Sequence, residues 1–325
     1  MAVKRCQTMA EIVGEAFAIV NEEKRLHPEP DAAFFFRGES KNYHHPNDPY
    51  AELEPSFPSS LDQKECRIQN ERELYHEAMR YNIFSFDRDR TMVERLIHMQ
   101  HYRLPTRIAD ISTNLCLSTF FAVNGEYVTN GAQPTDADGF VRVIKVAKHK
   151  MKMFTSDIIT AIAHLPLVKA EDIRPSQVNG LETLRYEVTN ERPGFSMYIR
   201  PEDGSQKMVK LERLLRREIQ HVWAFRPPYN NDRVRNQSGA FLAFGCHDGK
   251  AKLNATFSAH DYNEKDAPSY GIKQVGYVQI HRQAKKTILH QLRLMGMDAE
   301  VVYPDLSDAC KAIVSRIDER GEKEF

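Results

Sequence analysis

Residues 99–122 read MQHYRLPTRIADISTNLCLSTFFA, and this stretch decides how the rest of the chain is understood. Gln100 and His101 close a segment in which Met92, Leu96 and Met99 recur at helical spacing. Pro105 stops that helix, because a proline restricts the residue before it. Thr106 and Arg107 follow, then Asp110 between Ala109 and Ile111, then a small-polar run that turns apolar at Leu115. The segment reads neither as an ordinary amphipathic helix nor as a strand. An acid between two apolar residues is partly buried and needs a partner; Arg107 and Arg37 are the natural ones. Two readings follow: a polar cluster lining a ligand cleft, or an Arg–Asp pair that fixes a loop, with His101 capping the helix.

Outward from this stretch, helical and extended patterns alternate. Thr8 and Glu11 have capping-box spacing ahead of Ile12, Val13, Ala16, Phe17 and Val20, so a helix is predicted over 8–26, ended by His27-Pro-Glu-Pro. AAFFFRG is a short apolar strand, and NERELYHEAMRYN and RTMVERLIHMQHY are helices. FVRVIKVAK, the end of LERLLRREIQHVWAF, GAFLAFG and VGYVQIHRQ are strand-like by their β-branched and aromatic content. SDIITAIAHL has weak helical periodicity, AKKTILHQLRLMGM is a helix with Gly296 as its stop, AEVVYPDL reads as extended, and a last helix covers 307–319. Residues 41–60, rich in Pro, Asn, His and Ser, and the connector 125–138 read as loops. Interleaved strands and helices place the chain in the α/β or α+β class. With neither a repeat nor a clear linker, one domain spanning 1–325 is expected, its core over about 33–306.

Composition narrows the function. The chain has 325 residues, 41% hydrophobic and 28% charged, with Lys+Arg 45 against Asp+Glu 45. Zero formal charge argues against a sequence-blind grip on duplex nucleic acid, which rests on excess cations. Single strands, held by a few arginines and aromatics, need less. No window is apolar enough to span a bilayer, and the N-terminus lacks a secretory apolar region, so a cytoplasmic, membrane-free setting is expected. Cys6, Cys66, Cys116, Cys246 and Cys310 contain no C-x-x-C pair, which disfavours a disulfide framework or a thiolate zinc site. His98 and His101 have i, i+3 spacing without evident acidic co-ligands, so no metal is expected. A P-loop, a nucleophile elbow and an H-E-x-x-H motif are all absent from the sequence.

Three places carry polar chemistry. Arg37 closes the Phe34-Phe35-Phe36 run and is followed by Gly38; such an arginine either grips a phosphate or carboxylate in a cleft or pairs with Glu39 at the surface. The Met99–Ala122 stretch is the second place. The third is RVRNQSGAF, where Gln237 enters an apolar strand after a polar turn and orients either a ribose hydroxyl or the local backbone.

Taken together, these segments resemble a known family. FFFRGES looks like the Phe-Arg-Gly motif that names the FRG-domain family, and MQHYRLPTRIADISTNLCLSTFFAV resembles its Gln-His-x-Gly-x-Pro-Thr-Arg-Leu-x-Asp segment. RVRNQSGAF resembles its Arg-x-x-x-Gln-x-Gly-x-Phe segment, and KKTILHQLRLMGMDAEVVYPDL has the character of its closing helix and strand, so the resemblance spans roughly Phe34 to Leu306. Arg103 stands where the family usually has glycine, which disfavours a tight backbone approach there.

The resemblance implies an α+β fold with an ADP-ribosyltransferase-like split β-sheet core and surrounding helices, using NAD as substrate and no metal. It implies that Arg37 holds the NAD phosphates or ribose, that Thr106, Ser118 and Thr119 shape the nicotinamide pocket, and that Gln237 orients the ribose. Gly38, Gln100, His101 and Arg107 complete the binding set. Gln237 cannot act as a base, so Asp110 is the first choice for the catalytic carboxylate, with Glu39 next and Glu71 or Glu73 within conceivable reach. The expected activity is that of a toxin or anti-phage effector modifying nucleic acid, single-stranded RNA favoured. It would be restrained by a neutralising antitoxin protein, with a chaperone as a further partner. Alternatives are a non-catalytic module that binds a nucleotide or nucleic acid in the same cleft, and an interaction domain in which the polar segment only locks the fold.

Overall fold

The computed structural model describes residues 5–41, 71–81, 86–102, 104–124, 137–168, 218–228, 235–236, 239–245 and 270–303. The strands are β1 (Arg5–Cys6), β2 (Ala33–Glu39), β3 (Ile108–Ser112), β4 (Gly139–Val146), β5 (Met151–Met153), β6 (Val222–Arg226), β7 (Gly239–Phe244) and β8 (Ile272–Ile280). They form one eight-stranded sheet in the order β1-β8-β4-β2-β3-β7-β6-β5. The end pairs β1–β8 and β5–β6 are parallel and the interior pairs antiparallel. The helices are α1 (Met9–Leu26), α2 (Glu71–Tyr81), α3 (Met92–His101), α4 (Leu115–Val123), α5 (Asp157–His164), α6 (Lys285–Leu294) and α7 (Ala299–Val302). The fold class is α+β.

Side-chain caps, the first of them predicted, account for where two helices start. The Thr8 side chain accepts from the Glu11 N–H, and Thr91 with Glu94 forms a full capping box at α3. Of the predicted apolar face of α1, Ile12, Ala16 and Val20 are buried, whereas Phe17 is 58% exposed. Gly296, at φ 76°, occupies the left-handed position after α6 that a side chain would strain. AEVVYPDL differs from expectation: residues 299–302 are helical, because Asp298 accepts from the Val301 N–H and caps a short turn that outweighs the β-branched content. The predicted helix over 307–319 lies outside the described residues.

Side chains on the sheet sort into three apolar clusters. One contains Phe35, Ala109, Ile111, Ile144, Leu242 and Phe244. A second packs Ile108, Trp223, Phe225 and Phe241 against α2, α3 and α5. The third packs Val141, Val278 and Ile280 against α1, α4 and α6. Helix α4 lies so close to the sheet that a Cβ on Gly38 would collide with the Ser118 carbonyl, and one on Gly139 with the Ala122 carbonyl. A glycine is therefore required at 38 so that helix backbone can touch strand backbone.

Strands β2 and β3 lie side by side at the centre of the sheet, yet they are joined through one residue pair, Phe36 with Ser112. By contrast, β2 pairs with β4 over seven positions from Ala33 to Glu39, and β3 with β7 over all of Ile108–Ser112. Past Phe36 the sheet opens between Arg37 on one strand and Asp110 on the other.

Candidate functional site at the opening between β2 and β3

Arg37 fills this opening. Its Nη1 donates to the Asp110 carbonyl at 2.7 Å and to Asp110 Oδ1 at 3.0 Å. Where the strands part, that carbonyl has lost its ladder partner, and the guanidinium supplies the donor. The Arg37 Nε lies 3.6 Å from Glu39 Oε1, two residues along the same strand. Among the described residues neither Nη2 nor the buried Nε makes a hydrogen bond. Burial works against the Arg37 charge, but the carboxylates of Asp110 and Glu39 more than restore it.

Asp110 is the accessible half of the pair: its side chain keeps 43% of its surface open, against 17% for Arg37. Gln100 Nε2, at the end of α3, donates to the same Oδ1 at 2.9 Å. One carboxylate oxygen is therefore pinned by two donors, and Oδ2 takes no hydrogen bond among the described residues. The protein packed around the carboxyl opposes its ionisation, but Arg37 outweighs this and holds its pKa below the ordinary carboxylate range; His101 adds in the same direction. The result is a fixed anion beside a fixed cation, each with hydrogen-bonding capacity unused among the described residues.

The other predicted site residues separate from this cluster. Arg107, 1% exposed, pairs with Glu71 through Nη2–Oε2 and through Nε–Oε1 at 2.9 Å, and its Nη1 donates to the Phe244 carbonyl at 3.1 Å. It clamps α2 and the end of β7 to the start of β3 and does not meet Asp110, whose partner is Arg37 alone of the two proposed. Thr106 is buried, its hydroxyl without a hydrogen bond among the described residues. Ser118 and Thr119 are buried in α4, Ser118 against Gly38 and Thr119 donating back to the Leu115 carbonyl at 2.8 Å. Gly38 makes room for that helix, so its bare Cα serves packing. Gln237 and Arg103 lie outside the described residues.

Among the candidate acids, Glu39 is buried between Arg37 and Arg142, Glu71 is buried against Arg107, and Glu73 is exposed on α2. Asp110 alone of these is both ionised by a neighbour and partly open. Cys116 is half-buried and its thiol is pushed up by burial, which leaves it a poor nucleophile. Among the described residues no group of three or more His, Cys, Asp and Glu could hold a metal ion, and no helix is long and apolar enough to cross a membrane.

Sequence reasoning missed Arg142 and Gln274. Arg142 Nε donates to Glu39 Oε2 at 2.8 Å and its Nη1 to Gln274 Oε1 at 3.0 Å. The signal was present in FVRVIKV: a strand apolar at nearly every position carries one arginine, and that arginine is 1% exposed.

Residues 32–130 match the family model described as FRG domain, a span that runs from β2 through α4 and holds both halves of the Arg37–Asp110 pair. The match ends short of the RVRNQSGAF segment and of the C-terminal helix and strand pattern. No curated protein and no solved structure matches the chain. The chain thus carries an FRG domain, over residues 32–130.

Proposed function

We propose that this protein is an NAD-dependent ADP-ribosyltransferase whose reactive site is the Arg37–Asp110 pair. The observation that supports the reading is the pair's geometry: a buried-sided arginine with Nη2 open and an ionised carboxylate with Oδ2 open, at the parting of two central strands. Arg37 offers its open fork to the NAD diphosphate. Asp110 offers Oδ2 to a ribose hydroxyl or to the proton of the acceptor. In the reaction the bond from ribose C1′ to the pyridinium nitrogen breaks, its electron pair going to that nitrogen and neutralising it. The acceptor nucleophile bonds to C1′ and gives up its proton. Positive charge gathers on the sugar at the transition state, and a fixed carboxylate beside it stabilises that charge without reorganising. The sheet opening between β2 and β3 also agrees with an ADP-ribosyltransferase-like split-sheet core.

The acceptor in this reading is nucleic acid, single-stranded RNA before DNA or protein. The motive is the near-neutral chain, which disfavours duplex binding, together with Arg88, Arg90 and Arg95 at the head of α3. A transferase of this kind acts as a toxin or anti-phage effector in the cytoplasm, held in check by a neutralising antitoxin protein, with a chaperone as a further partner. The test is incubation with labelled NAD and, separately, total cellular RNA, DNA and protein. The parent chain should release nicotinamide and label RNA, and Arg37→Ala should do neither. Equal labelling by Arg37→Ala would place the site elsewhere. NAD binding by the parent without nicotinamide release would favour a non-catalytic nucleotide-binding module built on the same pair.

A further inference from the structure

Behind the Arg37–Asp110 pair runs a chain of alternating groups that crosses the centre of the sheet. From β8 to α3 it reads Gln274, Arg142, Glu39, Arg37, Asp110, Gln100. Arg142 is the registered partner of Arg37 across β2 and β4. Side chains directly opposite on one face of an antiparallel pair come within about 5.5 Å at Cβ, and like charges there destabilise the pairing. Glu39, two residues on and so on the same face of β2, divides its oxygens between them: Oε1 lies 3.6 Å from Arg37 Nε, and Oε2 accepts from Arg142 Nε at 2.8 Å.

Arg142 is a costly residue for stability alone. It is 1% exposed, flanked by Val141, Val143 and Ile144, all fully buried. A buried ion pair replaced whole by apolar side chains is often neutral or stabilising, so an apolar residue at 142 with one at 39 would build this strand pair as well. What such a replacement could not do is anchor the Nε side of Arg37. Asp110 fixes Nη1 by hydrogen bonds, and Glu39 stands 3.6 Å from Nε as a charge, that buried nitrogen having no hydrogen bond among the described residues; the guanidinium is thus held from two directions, and Nη2 is the nitrogen that neither contact uses.

We infer that Arg142 is a positioning residue: acting through Glu39, it sets the orientation of the Arg37 guanidinium and thereby which nitrogen is presented in the opening between β2 and β3. The inference rests on the Arg37–Asp110 site proposed above but does not need that site to use NAD. Arg142 touches no reacting atom; its effect passes through one carboxylate.

The experiment follows the Arg37 side chain itself. In the full-length protein, labelled with 15N at arginine and assigned with Arg37→Lys, the relaxation of the Arg37 Nε–H reports whether the head is held. The expected result is an ordered Arg37 Nε–H in the parent, loss of that order in Arg142→Met, and recovery in Arg142→Lys, which returns a cation to Glu39. Should Arg142→Met fail to fold, Gln274→Leu removes the far anchor of Arg142 at lower cost, and a partial loss of Arg37 order is expected. An Arg37 head as ordered in Arg142→Met, or in Gln274→Leu, as in the parent would overturn the inference and leave Arg142 a structural residue. Nicotinamide release measured on the same samples separates the two claims. No release by the parent removes the transferase reading and leaves the relaxation result standing. If the parent turns over, a fall of roughly tenfold or more in kcat/KM is expected for Arg142→Met, the size usual for removal of a group that orients a ligand-contacting residue.

Discussion

Two arginine–carboxylate pairs lie within the FRG segment, and they are built differently. Arg107 and Glu71 are both almost wholly buried and bind each other through two contacts, and the arginine also caps the Phe244 carbonyl. Arg37 and Asp110 share one contact through Nη1, keep 17% and 43% of their side-chain surface open, and each retain an atom without a hydrogen bond among the described residues. The same two chemistries therefore serve as a bolt in one place and as a reactive surface in the other. Burial and valence, not residue type, make the difference: a pair whose hydrogen-bonding capacity is used up can only hold structure, whereas a pair with capacity left over can take a ligand.

If that contrast is right, Glu71→Ala should show the largest loss of stability. It leaves a buried guanidinium without its counter-ion, a change that typically costs about 3–5 kcal/mol, to be read from urea unfolding. The double change Glu71→Leu with Arg107→Met should recover much of that loss; a double variant as unstable as Glu71→Ala would mean the pair is more than a bolt. Gly38→Ala should come next, at roughly 1–3 kcal/mol, because the new methyl meets helix backbone that can yield only by moving α4 off the sheet. A thermally unchanged Gly38→Ala would show that the helix is not seated as described.

Asp110→Asn should change stability by about 1 kcal/mol or less, since the carboxylate is open to solvent and screened by it. Its pH dependence has a fixed sign. Arg37 depresses the folded pKa, so the carboxylate's contribution is fully present above its unfolded value of about 3.9 and fades as pH falls through the lower folded value. Parent and Asp110→Asn unfolding curves should therefore draw together only in strong acid. Convergence near neutral pH would mean that Arg37 is not its partner.

An effect confined to alkaline pH sits at the far end of the Arg-Gly strand. Lys285 at the start of α6 donates to the Ser40 carbonyl at 2.6 Å, and burial lowers its pKa from 10.5 to about 8. The folded chain sheds this proton before the unfolded chain does, so stability should climb between about pH 8 and 10.5. Lys285→Met should flatten that climb, as measured by unfolding across the range.

Much of this was legible in the sequence where the signal is local. Thr8 and Glu11 announce α1, Gly296 ends α6, and the β-branched run in FVRVIKV marks β4. Arg37 and Asp110 were both visible as polar groups in apolar settings. Their mutual pairing was one of two on offer, and the choice was not legible, because Arg107 is three residues from Asp110 in the chain and Arg37 is seventy-three, and only the sheet order brings the distant one close. For the same reason Glu71, thirty-six residues from Arg107, could not be recognised as its counter-ion. Strand β3 was hidden by its own polar positions, since Asp110 and Ser112 break the apolar run that marks a central strand. The packing role of Gly38 is not legible locally, because the helix it seats begins well downstream.

The most direct test of the account is nicotinamide release from NAD by the parent chain and by Asp110→Asn, with thermal unfolding recorded on the same samples. The account predicts release by the parent and none by Asp110→Asn, while the two unfold within a few degrees of each other. Release by Asp110→Asn at the parent's rate would contradict it, because the open carboxylate would then have no part in the chemistry.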